Sequence, residues 1–271
     1  MGQKKMAISY LFPQGRKKAL TFSYDDGNDC DRRLAEIFTR HGMKATFNLN
    51  SAFQNNPGKI HLDELKSVFL DHGHEVACHG ARHPFEEQIT LTSLLEDVRS
   101  DRITLEKAAG CPVNGMAYPF GTYTEEVKSV LRALGIVYAR TVQSLRRTNY
   151  IPEDWLEWHP TAHHRENILE LGKAFLNNPW GLHLLYIWGH AFEFDRNNNW
   201  EIIEEFCDFM AHNDAIWYAT NMEIHDYVEA CRSLIPAMDN HFVRNPSVLS
   251  VWIDTPEGVR EIPPGETLFL S

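Results

Sequence analysis

Two acidic residues stand side by side in Thr21-Phe-Ser-Tyr-Asp25-Asp26-Gly27, at the end of a short apolar run. Neighbouring carboxylates repel unless a cation or a shared proton relieves them. The pair is therefore either an Asp-Asp-Gly turn that ends a strand or part of a metal site. His79-Gly-Ala-Arg-His83 offers the other part, because imidazoles four residues apart can face one ion from a single helical turn. No Glu lies inside that pair, so a general base must come from elsewhere, and the two aspartates can supply both the base and a third ligand. With fourteen histidines in the chain, His-x-x-x-His pairs also arise by chance. His159 and His163 share the spacing, but they follow Pro152, include Pro160 and have no paired carboxylates before them, so they read as loop, substrate-wall or structural residues. Two further groups complete the set: Ala117-Tyr-Pro-Phe-Gly121, and Trp188-Gly-His190, whose imidazole can donate a proton near neutral pH as a general acid.

These four groups share a position in the pattern of elements. Short apolar runs alternate with amphipathic helical stretches, the signature of repeated β/α units around a mostly parallel sheet. Strands are predicted at 19–24, 45–49, 75–78, 115–118, 137–141, 182–188 and 215–219. Helices are predicted at 31–40, 62–70, 90–109, 125–134, 201–211 and 222–234. Each chemical group then falls at the C-terminal edge of a strand, and a barrel gathers those edges on one rim. Beyond Pro236 the texture changes to short β segments at 247–253, 259–262 and 267–270. The expected organisation is an N-terminal extension (1–18), an α/β barrel (19–235) and a small C-terminal β-hairpin tail (236–271).

Bulk properties narrow the function. A net charge of -11 argues against a nucleic-acid partner, since phosphate backbones select basic faces. Five scattered cysteines without CxxC spacing argue against a disulfide framework. No stretch approaches the roughly 20 apolar residues of a membrane span. The opening residues carry two lysines but no apolar run of signal-peptide length, which predicts a cytoplasmic protein.

The four groups in this order resemble the motifs of the polysaccharide deacetylase family, the NodB-homology group of carbohydrate esterases. The family's T-F-D-D-G is similar to Thr21–Gly27 with two residues inserted after Phe22, and its H-[ST]-x-x-H-P to His79–Pro84 with Gly80 at the hydroxyl position. Its R-x-P-[YF]-G is similar to Ala117–Gly121 apart from the first residue, and its Leu-x-His to Ile187–His190. The resemblance covers about residues 19–235. It implies a distorted (β/α)7 barrel, TIM-barrel-like, that removes N-acetyl or O-acetyl groups from carbohydrate. It further implies Asp25 as general base, Asp26, His79 and His83 as ligands of a divalent metal (zinc, or cobalt or nickel), the Phe120 N–H as a donor to the acyl oxygen, and His190 as general acid.

Two departures from the family pattern stand out. The motif Arg is replaced by Ala117, and Arg140, at the next strand end, is expected to fill its place. Trp188 occupies a slot that is small and aliphatic in the family, beside the acetate pocket, and is expected to reshape it. The fourth motif has no match beyond Asp154-Trp155, so Glu193 or Asp195 stands in as a group to tune His190. Trp155, Trp158 and Trp180, with Trp188, are candidate sugar-stacking faces, each weighed against an ordinary core or loop role. The rival functions are a metal-dependent amidohydrolase acting on a small non-glycan amide and a catalytically silent glycan-binding barrel.

Overall fold

The computed structural model describes residues 9–270. Fourteen strands run in chain order: β1 Ser9–Leu11, β2 Lys18–Asp25, β3 Thr46–Leu49, β4 Glu75–Cys78, β5 Gly115–Ala117, β6 Tyr138–Arg140, β7 Ala162–His163, β8 His183–Gly189, β9 Ile216–Tyr218, β10 Ile235–Pro236, β11 Phe242–Arg244, β12 Val251–Thr255, β13 Gly258–Ile262 and β14 Thr267–Phe269. The α-helices are α1 Asp31–Arg40, α2 Leu65–Val68, α3 Leu91–Ala109, α4 Glu125–Ala133, α5 Ile168–Asn177, α6 Phe192–Asn197, α7 Glu201–Met210 and α8 Asn221–Arg232. None of them is long and apolar enough to cross a membrane.

Strands β6-β5-β4-β3-β2-β8-β7 form one parallel sheet in that spatial order. A parallel bridge between Arg140 and Trp158, just ahead of β7, returns the sheet to β6 and curls it into a distorted (β/α)7 barrel. Strand β9 pairs with Lys18–Leu20, on the edge of β2 whose later residues pair with β3, and so fills the base of the barrel.

Alternation along β2 sorts the two sides of the wall. Leu20, Phe22 and Tyr24 face outward, where Phe22 stacks on Phe38 of α1 at 4.3 Å. Ala19, Thr21, Ser23 and Asp25 share the opposite face, the barrel interior. That interior is filled by Tyr138, Trp158 and Tyr186, whose rings meet edge to face, and by hydrogen-bonded polar groups. Thr21 Oγ1 donates to Asn221 Oδ1 at 2.9 Å, and Asn221 Nδ2 donates to the Tyr186 hydroxyl at 2.6 Å. Helix α1 buries Leu34, Ala35, Ile37 and Phe38 along one stripe, as its spacing predicts.

The C-terminal residues form the expected Val251–Ile262 hairpin, but with two differences. Ser9–Leu11, read as part of an extension, adds a third strand by pairing with β12. A second three-stranded sheet, β10-β11-β14, contains the expected strand near 267–270 as β14, but its other two members are segments too short and mixed to show a strand period. The predicted helix at 62–70 is a 3₁₀ turn followed by only the four residues of α2.

Candidate metal and catalytic site

Register explains how distant motifs meet. Tyr24 pairs with Gly189 and Asp25 with Asn48; Leu49 pairs with Cys78, Ala117 with Arg140, and His163 with Trp188. Asp25, His79, Arg140 and His190 therefore leave the sheet at one level, on the C-terminal rim.

Asp25 is almost fully buried. Its Oδ1 accepts from Asn48 Nδ2 at 2.8 Å, and its Oδ2 accepts from Arg140 Nη2. Nε2 of His79 and Nε2 of His190 each lie 3.9 Å from Oδ2. Burial alone would push this carboxyl up, but Arg140, His79 and His190 outweigh it and hold Asp25 below the usual carboxylate value. The guanidinium of Arg140 is itself inaccessible, donates through Nη1 to the Thr141 carbonyl, and lies 4.5 Å over the Trp188 ring. Its cross-strand neighbour is Ala117, the position at which the family pattern has its arginine.

Asp26 follows at φ 80, so the chain turns and the two carboxylates diverge. Lys59 Nζ, at 2.7 Å, and Gln54 Nε2, at 3.2 Å, donate to its carbonyl and hold the turn. His79 and His83 do not sit on a helix, contrary to the geometry their spacing suggested. A tight turn with Gly80 at φ 69 and His83 at φ 52 brings their rings within 4.7 Å instead. The backbone of His79 is anchored by Asp101, which accepts its N–H at 3.1 Å, and by Asn50, which donates to its carbonyl at 2.6 Å.

Nδ1 of His79 lies 2.8 Å from the Ala117 carbonyl, which can only accept, so the ring proton is on Nδ1 and the Nε2 lone pair is free. Burial keeps this imidazole's pKa below the ordinary value, against the pull of Asp25 and Asp26, and the neutral ring is the form that binds metal. Nε2 of His79 and of His83 lie 3.8 and 3.9 Å from Asp26 Oδ1, and one donor atom from each residue falls within 4.8 Å of the others. One carboxylate and two imidazoles, one of them with its tautomer fixed, fit a divalent ion such as zinc with open positions left over.

These residues floor a cleft of about 430 Å³ whose walls are Tyr118, Phe120, Val142, Trp188 and His190. Phe120 is half exposed at φ 57 and stacks on Phe85. Of the four tryptophans considered from sequence, only Trp188 lines the cleft. Trp155 and Trp158 are buried against each other, and Trp180 is exposed beyond the opposite, N-terminal end of β8. Asp154 pairs with Lys128 and Arg132, and Asp195 accepts from the Trp200 indole.

His163 and Glu193, named separately from sequence, meet in a second buried group that the spacing did not reveal. His163 and His164, at the end of β7, meet Glu193 of α6 with Nε2 to Oε2 separations of 3.2 and 3.1 Å. Burial would raise the Glu193 carboxyl, but the close approach of the His163 and His164 rings overrides it and holds the pKa far below the ordinary value. His164, itself buried, is pushed down to about 4. His159 instead sits against Thr141 Oγ1 at 2.6 Å. A Cβ on Gly189 would lie 2.1 Å from Nδ1 of His164, which accounts for glycine beside His190. Gly189→Ala is expected to cost about 1–3 kcal/mol by overpacking, read as a lowered midpoint in urea unfolding.

Residues 13–139 match the sequence model of a family described as polysaccharide deacetylase, a span that holds Asp25, Asp26, His79, His83 and Phe120. No curated protein matches the chain by sequence. Among solved structures, one from Mycobacterium smegmatis assigned as a polysaccharide deacetylase aligns with TM-score 0.61 at 18% identity, over 84% of this chain and 96% of that one. A family 4 carbohydrate esterase from Streptomyces lividans in complex with acetate aligns with TM-score 0.51 at 18% identity, over 74% and 90%. A CE4 family pseudoenzyme from Bacillus anthracis aligns with TM-score 0.50 at 16% identity, over 77% of this chain and 66% of that one. At these identities the likeness to solved structures is one of fold.

Proposed function

The chain is a divergent relative of the polysaccharide deacetylases through residues 13–139, and we propose on that footing that it is a metal-dependent hydrolase removing acetyl groups from a carbohydrate. The observation that carries this reading is Asp25: a buried carboxylate kept ionised, outside the ligand set, and facing the imidazoles of both His79 and His190. A barrel that only bound glycans would have no use for such a base.

A divalent ion held by Asp26, His79 and His83 supplies a more acidic water molecule and a Lewis acid for the acyl carbonyl. The chain's own residues do the rest. Asp25 accepts the proton as water attacks, with Arg140 and Asn48 fixing its two oxygens. The backbone N–H of Phe120 donates to the developing oxyanion, an effect worth about 3–4 kcal/mol per donor in comparable sites. His190, across the cleft, protonates the departing amine. Trp188 narrows the acyl side of the cleft and favours a small acyl group.

The test is acetate release from N-acetylated chitooligosaccharides, acetylated xylan and simple N-alkyl acetamides. Protein stripped with a chelator is compared with protein reloaded with zinc, cobalt or nickel. Release is expected from a glycan, abolished by stripping and restored by one equivalent of ion. Release from the simple amide alone would favour the non-glycan amidohydrolase, and no metal-dependent release from any substrate would overturn the proposal.

A further inference from the structure

Phe85 and Phe120 are 41% and 48% exposed, yet their rings stack with centroids 3.7 Å apart and planes within 7° of parallel. A single exposed aromatic needs no explanation, but contiguous apolar surface beside a cleft marks a binding surface. The pair is held in place from both sides. Phe85 immediately precedes the 3₁₀ turn Glu86–Gln88, and Glu87 of that turn accepts a hydrogen bond from Thr122 Oγ1, two residues after Phe120. Phe120 adopts φ 57, a conformation that bulky residues rarely take and that clusters at ligand-binding and catalytic sites. The ring of His83 meets that of Phe120 edge to face at 4.4 Å. The aromatic surface therefore begins at the metal site and continues outward to Phe85, a residue that belongs to none of the motifs.

The composition of the cleft says what would lie there. Apart from Asp25, Asp26, His79, His83 and His190, its lining is Tyr118, Phe120, Val142 and Trp188. The Tyr118 hydroxyl is committed to the Leu156 carbonyl at 2.9 Å, and the Trp188 indole nitrogen is buried. No other lining side chain is left to hydrogen-bond a sugar hydroxyl, so a ring must be recognised largely through its C–H face. A pyranose with equatorial hydroxyls offers such a face, because its axial C–H bonds point together and their positive hydrogens suit the negative face of an aromatic ring.

Size and openness place the next ring. A volume of about 430 Å³ is toward the small end of the roughly 300–1,000 Å³ typical of sites that enclose a ligand, so a longer chain must run out over the rim. Tyr118 and Trp188 are buried walls, whereas Phe120 and Val142 are exposed, so the rim is open on the Phe120 side. Trp155, Trp158 and Trp180 lie too far from that rim to serve it, two of them buried against each other and the third beyond the opposite end of β8.

We propose that Phe85 and Phe120 form a sugar-stacking platform for the ring next to the acetylated one in a β-1,4-linked chain of equatorially substituted pyranoses. Phe85 is then the residue that makes the enzyme prefer a chain to a single sugar. The argument rests on the deacetylase reading above.

Calorimetric titration of zinc-loaded Asp25→Asn protein, in which substrate is bound but turned over slowly, tests the platform. N-acetylglucosamine is compared with its β-1,4-linked tetramer, and acetylated xylose with acetylated xylotetraose. In the series that the unsubstituted enzyme hydrolyses, the tetramer is expected to bind at least about 10-fold more tightly than the single sugar. Phe85→Ala in the same background should remove most of that difference, and Phe85→Trp should retain it. In the otherwise unsubstituted enzyme, Phe85→Ala should raise KM for the tetramer about 5- to 20-fold with kcat within about 2-fold, since a platform remote from the reacting bond holds substrate and transition state alike. Trp180→Ala is the control for an exposed aromatic away from the site and should change neither constant. Equal loss on single sugar and tetramer, or a fall in kcat alone, would overturn the platform. So would a dimer that Phe85→Ala dissociates, which would make the pair an interface between copies. Acetate release from simple amides alone would overturn the deacetylase reading itself, whereas tetramer hydrolysis that Phe85→Ala leaves untouched would overturn only the platform.

Discussion

Asp25→Asn is expected to lower acetyl-group hydrolysis by about 10²–10⁴-fold while leaving divalent-metal affinity close to that of the unsubstituted protein. The substitution keeps the volume and keeps an oxygen for Asn48 or Arg140, but removes the proton acceptor. The separation of effects is the informative part. Asp26 is turned away at φ 80 toward His79 and His83, so Asp26→Asn should instead weaken metal binding, and activity in that variant should recover partly at high metal concentration. Steady-state rates and isothermal titration with zinc check both. Equal loss of metal by the two variants would mean that the carboxylates do not divide their roles.

Arg140→Ala should be costly in two ways. Its guanidinium is fully buried and pairs with a carboxylate almost as buried, and removing one partner of such a pair typically costs about 3–5 kcal/mol because the other charge is stranded. The variant is therefore expected to unfold at markedly lower urea concentration. Activity should change as well. Without the guanidinium, burial is the strongest influence left on Asp25 and pushes its carboxyl upward, so the base ionises only at higher pH. The acidic limb of the pH–rate profile should then move to higher pH.

Stability has a matching signature. A carboxyl depressed in the fold stabilises it above the unfolded value, about pH 3.9, and that contribution is lost as pH falls through the folded value. The acid sensitivity of unsubstituted protein should therefore exceed that of Arg140→Ala below about pH 4. Unchanged activity and metal binding in Arg140→Ala would refute the idea that this arginine serves the space left by Ala117.

What the sequence made legible follows from locality. Asp25, Asp26 and His79 were readable because each sits within a residue of a strand end, with His83 following four residues after His79, and the β/α rhythm alone brings such ends to one rim. Arg140 could be nominated for the same reason, since β5 and β6 are neighbours in sequence and in space. The His79–His83 turn was misread as helical because spacing reports which side chains can meet and not which backbone brings them together. Gly80 was the available signal, since its φ of 69 is a conformation that helices do not use.

Asn48, Asp101 and the convergence of His163 and His164 on Glu193 were invisible for another reason. Their roles depend on partners 22 to 30 residues away, and a polar residue ending an apolar strand gives no indication of what it will touch. The pairing of Ser9–Leu11 with Val251–Thr255 is the extreme case, joining the two ends of the described chain by a register that no local pattern records.

The central claim is that one metal ion is held by Asp26, His79 and His83 on the barrel's rim. It is tested most directly by anomalous diffraction from crystals of the full chain grown with a single equivalent of zinc. The account predicts one anomalous peak within about 2 Å of a carboxylate oxygen of Asp26 and of Nε2 of His79 and His83, with His190 across the cleft. A peak at His163, His164 and Glu193 with the Asp26 site empty would contradict it.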